Sequence, residues 1–113
     1  DNSPIAASLI HVLRHGEVPP DAPELMVGPI SPHFASRRRA FMYQLRAEVQ
    51  GFIGERETTL AAIEGAVEAG LIDLAWMERC PTIEIARADP RFAPLLAGVR
   101  RRADAILEAY RER

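Results

Sequence analysis

Residues 40–70 hold the pattern that most restricts the fold of this chain, two amphipathic helix patterns separated by one tight turn. Apolar residues recur at helical spacing on both sides of Gly54, and Gly70 provides the second stop. Because the connection is only a few residues long, the two helices are predicted to lie antiparallel. The residues predicted to be buried are Phe41, Leu45, Val49 and Phe52 in the first helix and Leu60, Ile63, Ala66 and Val67 in the second.

Start and stop residues also divide the chain before this pair of helices. Ser3 followed by Pro4 is typical of a helix start, and Gly16 predicts the end of that helix. Residues 17–29 contain four prolines, which predicts a loop or an extended segment. The N-terminal helix is therefore separated from the central pair by a proline-rich connection.

The chain after Gly70 is predicted to form two short helices and one long one. Asp73 and Thr82 are the predicted N-caps of the short helices, and Asp89-Pro90 predicts the start of the long helix. Its apolar face is the longest in the sequence and comprises Phe92, Leu95, Leu96, Val99, Ala103, Ile106, Leu107 and Tyr110. Arg100, Arg101 and Arg102 are predicted to lie on its solvent side. The predicted fold is therefore an all-α antiparallel array of five to six helices, closed by a long C-terminal helix.

Composition restricts the class of protein and its partners. The 113 residues suffice for one small domain, and the net charge of −2 gives no electrostatic reason to expect nucleic acid or an anionic membrane as a partner. All 14 basic residues are arginine, which we interpret as a global composition bias. Cys80 is the only cysteine, which fits a reducing cytoplasm. Because the chain begins with Asp1 instead of Met, we expect it to be a piece of a longer protein.

Candidate catalytic and metal-binding residues are few. His11 and His15 are four residues apart and would share a helix face, but no third ligand is fixed by the sequence. Cys80 lacks any surrounding nucleophile signature, and the chain contains no glycine-rich phosphate loop, HExxH or GxSxG motif. We therefore predict a protein that is not an enzyme and uses no cofactor or metal.

The run Arg37-Arg38-Arg39 is the strongest candidate for a functional feature. It stands at the start of a predicted helix, where the helix dipole makes positive charge unfavourable. Glu55, Glu57 or an acidic partner could offset this charge. The predicted partner-binding residues, on the solvent side of the same helix, are Arg37, Arg38, Arg39, Gln44 and Glu48.

The helix pair from Ala40 to Gly70 resembles a tetratricopeptide repeat. The residues that match the large and small core positions of that repeat, or its turn, are Tyr43, Ala47, Gly54, Leu60, Ile63 and Ala66. Arg46 replaces an expected leucine, although Leu45 is adjacent. Gln50 stands where an aromatic residue is usual, and Thr59 where alanine is usual, which suggests a terminal repeat of an array.

Two further segments extend this resemblance to roughly residues 36–110. Gly70–Trp76 and Ala88–Leu95 look like the closing segment of repeat arrays in bacterial signalling proteins. Such arrays follow a protein-kinase, nucleotide-cyclase or transcription-regulator module. The implied layout is a single helical domain with four parts: an N-terminal helix (1–16), a proline-rich loop (17–31), a tetratricopeptide-like hairpin (32–70), and short helices with a terminal capping helix (71–113).

The functional hypothesis that follows is a non-catalytic protein–protein interaction or regulatory module of a cytoplasmic bacterial signalling protein. Its partner would be another protein or another domain of the parent chain, with no nucleic-acid or membrane partner. The alternative hypothesis is a structural terminal cap or a homodimerisation element. An exposed apolar strip on the Arg37–Phe52 helix would favour this alternative.

Overall fold

The computed structural model describes residues 4–20 and 30–112, and all regular structure in these two ranges is helical. The all-α prediction is therefore confirmed for this part of the chain, and the predicted loop over 17–31 lies largely outside it. The α-helices are α1 (Pro4–His15), α2 (Ser36–Ile53), α3 (Arg56–Glu68), α4 (Leu74–Arg79), α5 (Glu84–Arg87) and α6 (Phe92–Arg111), with a 3-10 turn (Pro81–Ile83) between α4 and α5.

Helices α2 and α3 form an antiparallel pair around a two-residue connection. The hydroxyl of Thr58 donates to Oε1 of Gln50 at 2.8 Å, and further from the turn the ring of Tyr43 covers Gly65. A Cβ on Gly65 would lie 2.5 Å from Cε1 of Tyr43, so only glycine admits the ring there. Gly54 makes the turn with φ at 94°, which other residues rarely adopt.

The predicted buried face of α2 is correct at Val49 and wrong at its two phenylalanines, while Leu45 is half-buried. Phe41 and Phe52 are 62% and 47% exposed, whereas the buried positions of this helix are Ala40, Ala47, Val49 and Gln50. Small side chains at Ala40 and Ala47 permit close approach of a neighbouring helix, which a phenylalanine at the same place would prevent. Gln50 tolerates burial because its amide accepts the Thr58 hydroxyl.

The main core lies where α2, α3, the 3-10 turn and the first half of α6 meet. Leu60, Ile63 and Ala66 of α3 are buried as predicted, and Val67 packs against them half-buried. The other buried members are Ala47, Ala62, Leu71, Met77, Ile83, Ala86, Phe92 and Val99. Gly51 lets α2 approach the 3-10 turn, since a Cβ there would overlap the carbonyl of Thr82.

A second, smaller cluster joins α1 to the end of α2. Val12 and Val49 are buried in it, and Leu9, Val18 and Ile53 pack around them. Helix α1 begins at Pro4 and ends before Gly16, at the positions that the start and stop residues predict. This cluster lies at the C-terminal end of α2. The N-terminal end of α2, near Arg37, takes no part in it.

Of the three predicted caps after Gly70, only the first acts as a cap. Oδ1 of Asp73 accepts the backbone N–H of Trp76 at 3.0 Å and caps α4. The prediction for Thr82 is wrong: it lies within the 3-10 turn, and its hydroxyl oxygen is 3.3 Å from Sγ of Cys80. Asp89 accepts the N–H of Arg91 at 2.9 Å and so holds the turn before α6.

Candidate functional site

The apolar face of α6 is divided into a covered half and an exposed half. Phe92 and Val99 are 3% and 0% exposed and lie in the main core. Further along the same face, Ile106 and Leu107 are each 49% exposed and Tyr110 is 72% exposed. The predicted stripe is therefore correct in its spacing, but only its first half reaches the core.

The lengths of the helices explain the division. With a rise of about 1.5 Å per residue, α6 with its 20 residues is about 30 Å long, while α3 with 13 residues is about 20 Å long. The body of the protein therefore ends before α6 does. The length of the predicted stripe was the one sequence feature that could have indicated this exposed end.

Two adjoining clefts lie beside the exposed half of α6. The first, of about 450 Å³, lies between the beginning of α2, residues 69–73 and α6, and its lining includes Phe41, Ile72 and Ile106. The second, of about 400 Å³, is lined by Ile72, Ala103, Ile106, Leu107 and Tyr110. Because they share Ile72 and Ile106, the clefts form one surface. We call it the distal apolar surface and define it by Phe41, Ile72, Ile106, Leu107 and Tyr110.

The Arg37–Arg39 run lies at the edge of this surface. Arg37 lines the larger cleft, and the guanidinium of Arg38 lies 5.0 Å from the ring centroid of Phe34. Among the described residues, no ion pair includes any of the three arginines. The run therefore keeps an uncompensated positive charge within this part of the molecule.

The expected intramolecular compensation by Glu57 does not occur. Both carboxylate oxygens of Glu57 instead bind the guanidinium of Arg91, at 2.9 and 2.5 Å. Glu55 forms no described ion pair with the arginine run, and its backbone carbonyl accepts the hydroxyls of Thr58 and Thr59. Both glutamates stand at the start of α3, whereas the arginine run begins α2, the opposite end of the antiparallel pair.

The structure separates the other two predicted contact residues. Gln44 lines the larger cleft together with Arg37. Glu48 accepts the indole N–H of Trp76 at 3.1 Å and so ties α2 to α4. Because Trp76 is itself packed half-buried against the main core, its hydrogen bond holds the Glu48 side chain in place. Phe41 and Ile72 were missed as surface residues, since Phe41 was assigned to the core and Ile72 was given no role.

Arg102 is not the solvated residue that its place in the Arg100–Arg102 run predicted. Its Nη1 donates to the carbonyls of Val67 and Leu71, both at 2.9 Å. These carbonyls belong to the C-terminal end of α3 and the loop after it, where backbone acceptors lack helical partners. Arg102 therefore fixes α6 to the body at the point where the exposed half begins. Arg100, which is exposed, pairs with Glu78 at 2.9 Å.

The residues Glu57, Asp89 and Arg91 form a charged cluster at the start of α6. Hydrogen bonds from the side chain and backbone of Arg91 lower the pKa of Asp89 to about 2. The hydrogen bond from Arg91 also lowers the pKa of Glu57, and the two carboxylates raise the pKa of Arg91. All three groups are therefore charged near neutral pH. This arrangement clamps α3 to the turn before α6.

The remaining candidate residues do not converge on a site. The rings of His11 and His15 lie 4.5 Å apart between centroids, on α1. In residues 4–20 and 30–112, no three His, Cys, Asp or Glu side chains come together as a metal site. Cys80 is half-buried and is a free thiol.

Comparison with known proteins gives no relative. No family model, no curated protein and no solved structure matches the chain. Within the part of the chain that the structure describes, no helix is both long and apolar enough to cross a membrane. Any functional conclusion therefore depends on the distal apolar surface and its arginine edge.

Proposed function

We propose that this chain is a non-catalytic protein–protein interaction or regulatory module of a larger bacterial signalling protein, and that it binds through the distal apolar surface. The observation that carries the proposal is the exposure of Ile106, Leu107 and Tyr110 on a helix whose first half is core. Contiguous exposed apolar surface with a charged rim is typical of interaction sites.

The helical end itself supports a binding role. Isolated helical segments of this length are marginal in water, and most helix stability comes from packing an apolar face. From Asp104 to Glu112 every residue of the chain is exposed. A partner that covers this face would supply the packing that the body of the protein does not.

The tetratricopeptide-like character of the α2–α3 pair remains part of the proposal. Tyr43 packs closely against Gly65, and Ala47 and Ala66, which match the small core positions of such a repeat, are buried. Repeat units bury their faces against neighbours, and terminal units carry a different outer face. On this proposal α6 caps the last repeat and presents the binding surface beyond it.

The alternative, a homodimerisation element, is favoured by one specific observation. Phe41 and Phe52, on α2, are 62% and 47% exposed, so this helix carries the exposed apolar residues that a dimer contact would use. Sedimentation at two concentrations separates the hypotheses. A monomer at both favours binding to a different protein, and a dimer that strengthens with concentration favours self-association.

Affinity capture from cells of the source organism tests the leading proposal. Ile106→Glu places a charge in the centre of the surface, and Ala105→Glu places the same charge on an exposed neighbour at the back of α6. We expect proteins captured by the wild type to be retained by Ala105→Glu and lost with Ile106→Glu. Equal capture by all three chains would overturn the proposal.

A further inference from the structure

We propose that the occupant of the distal apolar surface is an amphipathic helix of another protein whose residues flanking the apolar stripe are acidic. This inference rests on the proposed function and specifies the chemistry of the partner. It follows from the shape of the surface, from the secondary structure around it and from the charges along its edges.

The shape and surroundings favour a helix. The surface is a pair of joined clefts of about 450 and 400 Å³ between α2, α6 and Ile72, which suits the apolar face of a helix. Strand addition needs a free sheet edge, and residues 4–20 and 30–112 contain no strand. The part of α6 that borders the surface, from Ala103 to Tyr110, is about 10 Å long, which is two helical turns.

The edges of the surface carry more positive than negative charge. At about 100° per residue, Arg102 and Arg111 flank the stripe of α6, while Glu108 and Glu112 lie on the opposite side of the helix. Arg100 also flanks the stripe, but it pairs with Glu78 at 2.9 Å and so adds no net charge to the edge. Arg37 stands on the α2 side of the larger cleft and has no ion-pair partner among the described residues.

The two carboxylates near the surface offset this charge only in part. Asp73 lines the larger cleft, but its Oδ1 accepts the N–H of Trp76. Asp104 lies on the same flank of α6 as Arg111, slightly further from the centre of the stripe. Arg102 keeps its full positive charge while it donates to backbone carbonyls. The net edge charge is therefore positive, and acidic flanks on the occupant complement it.

The same charges argue against a second copy as the occupant. Two copies that join through this surface bring edges of the same net positive charge together, because Asp73 and Asp104 offset the arginines only in part and the glutamates of α6 lie on its other side. An anionic membrane would match the charge, but part of the surface lies in a cleft between α2, residues 69–73 and α6, whereas an interfacial helix lays one open apolar face on the bilayer.

Three synthetic peptides test the inference. Each carries leucine at positions i, i+3, i+4 and i+7, with flanking residues that are all Glu, all Gln or all Lys. Binding of the labelled peptides to the whole chain is measured by fluorescence anisotropy at low and high salt. We expect the Glu peptide to bind about tenfold more tightly than the Gln peptide at low salt, the Lys peptide to bind most weakly, and the differences to shrink at high salt.

Matched variants locate the contact. Arg37→Glu and Arg111→Glu are expected to reduce or reverse the preference for the Glu peptide, while Arg101→Glu, on the back of α6, leaves it unchanged. Ile106→Glu is expected to abolish binding of all three peptides. The thermal midpoint of each variant verifies that it is folded.

Several results would overturn the inference. Equal binding of the three peptides, lost with Ile106→Glu, would leave the proposed function standing and remove the acidic preference. Dimer formation that Ile106→Glu abolishes would make a second copy the occupant. Binding to phosphatidylglycerol vesicles that Ile106→Glu abolishes would make a membrane the occupant. Absence of peptide binding together with loss of the capture difference between Ala105→Glu and Ile106→Glu would overturn both proposals.

Discussion

Phe92 and Tyr110 occupy equivalent places on the two ends of α6 and have opposite environments. They are 18 residues apart, which is five helical turns, so both lie on the same line along the helix. Phe92 is 3% exposed in the main core, and Tyr110 is 72% exposed at the far end. One apolar stripe is thus divided: the first half holds the fold together, and the second half is exposed and, on our proposal, binds a partner.

The boundary between the two halves is fixed by a polar contact. Arg102 binds the carbonyls of Val67 and Leu71, and every residue from Asp104 to Glu112 is exposed. The comparison shows that apolar spacing identifies the apolar face of a helix but not how much of that face is buried. Its burial depends on how far the neighbouring helices extend.

The largest expected effect comes from truncating the two aromatic residues at the ends of the stripe. Phe92→Ala is expected to lower the free energy of unfolding by about 3–5 kcal/mol, because it opens a cavity in the core. Tyr110→Ala is expected to change it by less than about 0.5 kcal/mol. Urea unfolding followed by circular dichroism measures both. Similar losses for the two variants would mean that the far end of α6 is also packed.

The next largest effect on the free energy of unfolding is expected at Gly51, which lies in a close helix contact, in comparison with Gly98, which has room for a side chain. Gly51→Ala is expected to cost about 3 kcal/mol, because its Cβ would overlap the Thr82 carbonyl and backbone atoms must move. Gly98→Ala serves as the control within α6. Its Cβ would lie 3.8 Å from Nη2 of Arg101, so we expect a gain of about 0.5–1 kcal/mol from helix propensity.

Loss of the boundary contact is expected to have a smaller effect. Arg102→Gln should lower the free energy of unfolding by about 2 kcal/mol, because two backbone carbonyls lose a charged donor. It should also speed hydrogen exchange in the amides after residue 102 more than in those of α3. Arg101→Gln, on the exposed side of α6, should leave both quantities unchanged. Identical exchange in both variants would show that Arg102 does not hold the helix.

A pH series sharpens the comparison at the packed end of α6. The pKa of Asp89 is about 2 in the folded chain and 3.8 ordinarily, so the unfolded chain binds a proton first as the pH falls. The stability from this carboxylate is therefore complete above about pH 5 and is lost as the pH falls from 3.8 towards 2.

The variant Asp89→Asn isolates this contribution. The difference in thermal midpoint between wild type and variant should be constant near neutral pH and should narrow towards pH 2. We expect a modest difference, because Arg91 and Glu57 are 56% and 72% exposed and their charges are screened by solvent. A difference that does not change with pH would mean that the charge of Asp89 contributes nothing.

Local signals in the sequence predicted the all-helical class and several helix ends. Gly54 ends α2, Asp73 caps α4, and Gly16 follows α1, since each of these effects depends on neighbouring residues only. Leu60, Ile63 and Ala66 of α3 were predicted as buried from their helical spacing, whereas the buried Thr59 and Ala62 were not. The all-helical class follows from these features together.

The candidate site depends on contacts between residues that are far apart in the sequence. The spacing of apolar residues within one helix does not predict such contacts. Phe41 was assigned to the core because its spacing fits a stripe, but the close approach of helices selected Ala40 and Ala47 instead. Arg102 was assigned to solvent because the carbonyls that it binds are 31 and 35 residues away. Arg37 and Gln44 were predicted as contact residues and line the cleft, which the binding experiments above test.

The most direct test of the central claim measures stability and binding on one variant, Ile106→Glu. Ile106 belongs to both clefts and is 49% exposed. If the second half of the stripe serves a partner, the variant keeps the wild-type midpoint of urea unfolding and loses the binding of the Glu-flanked peptide, while Ala105→Glu keeps both. A large loss of stability, or unchanged peptide binding, would contradict the account.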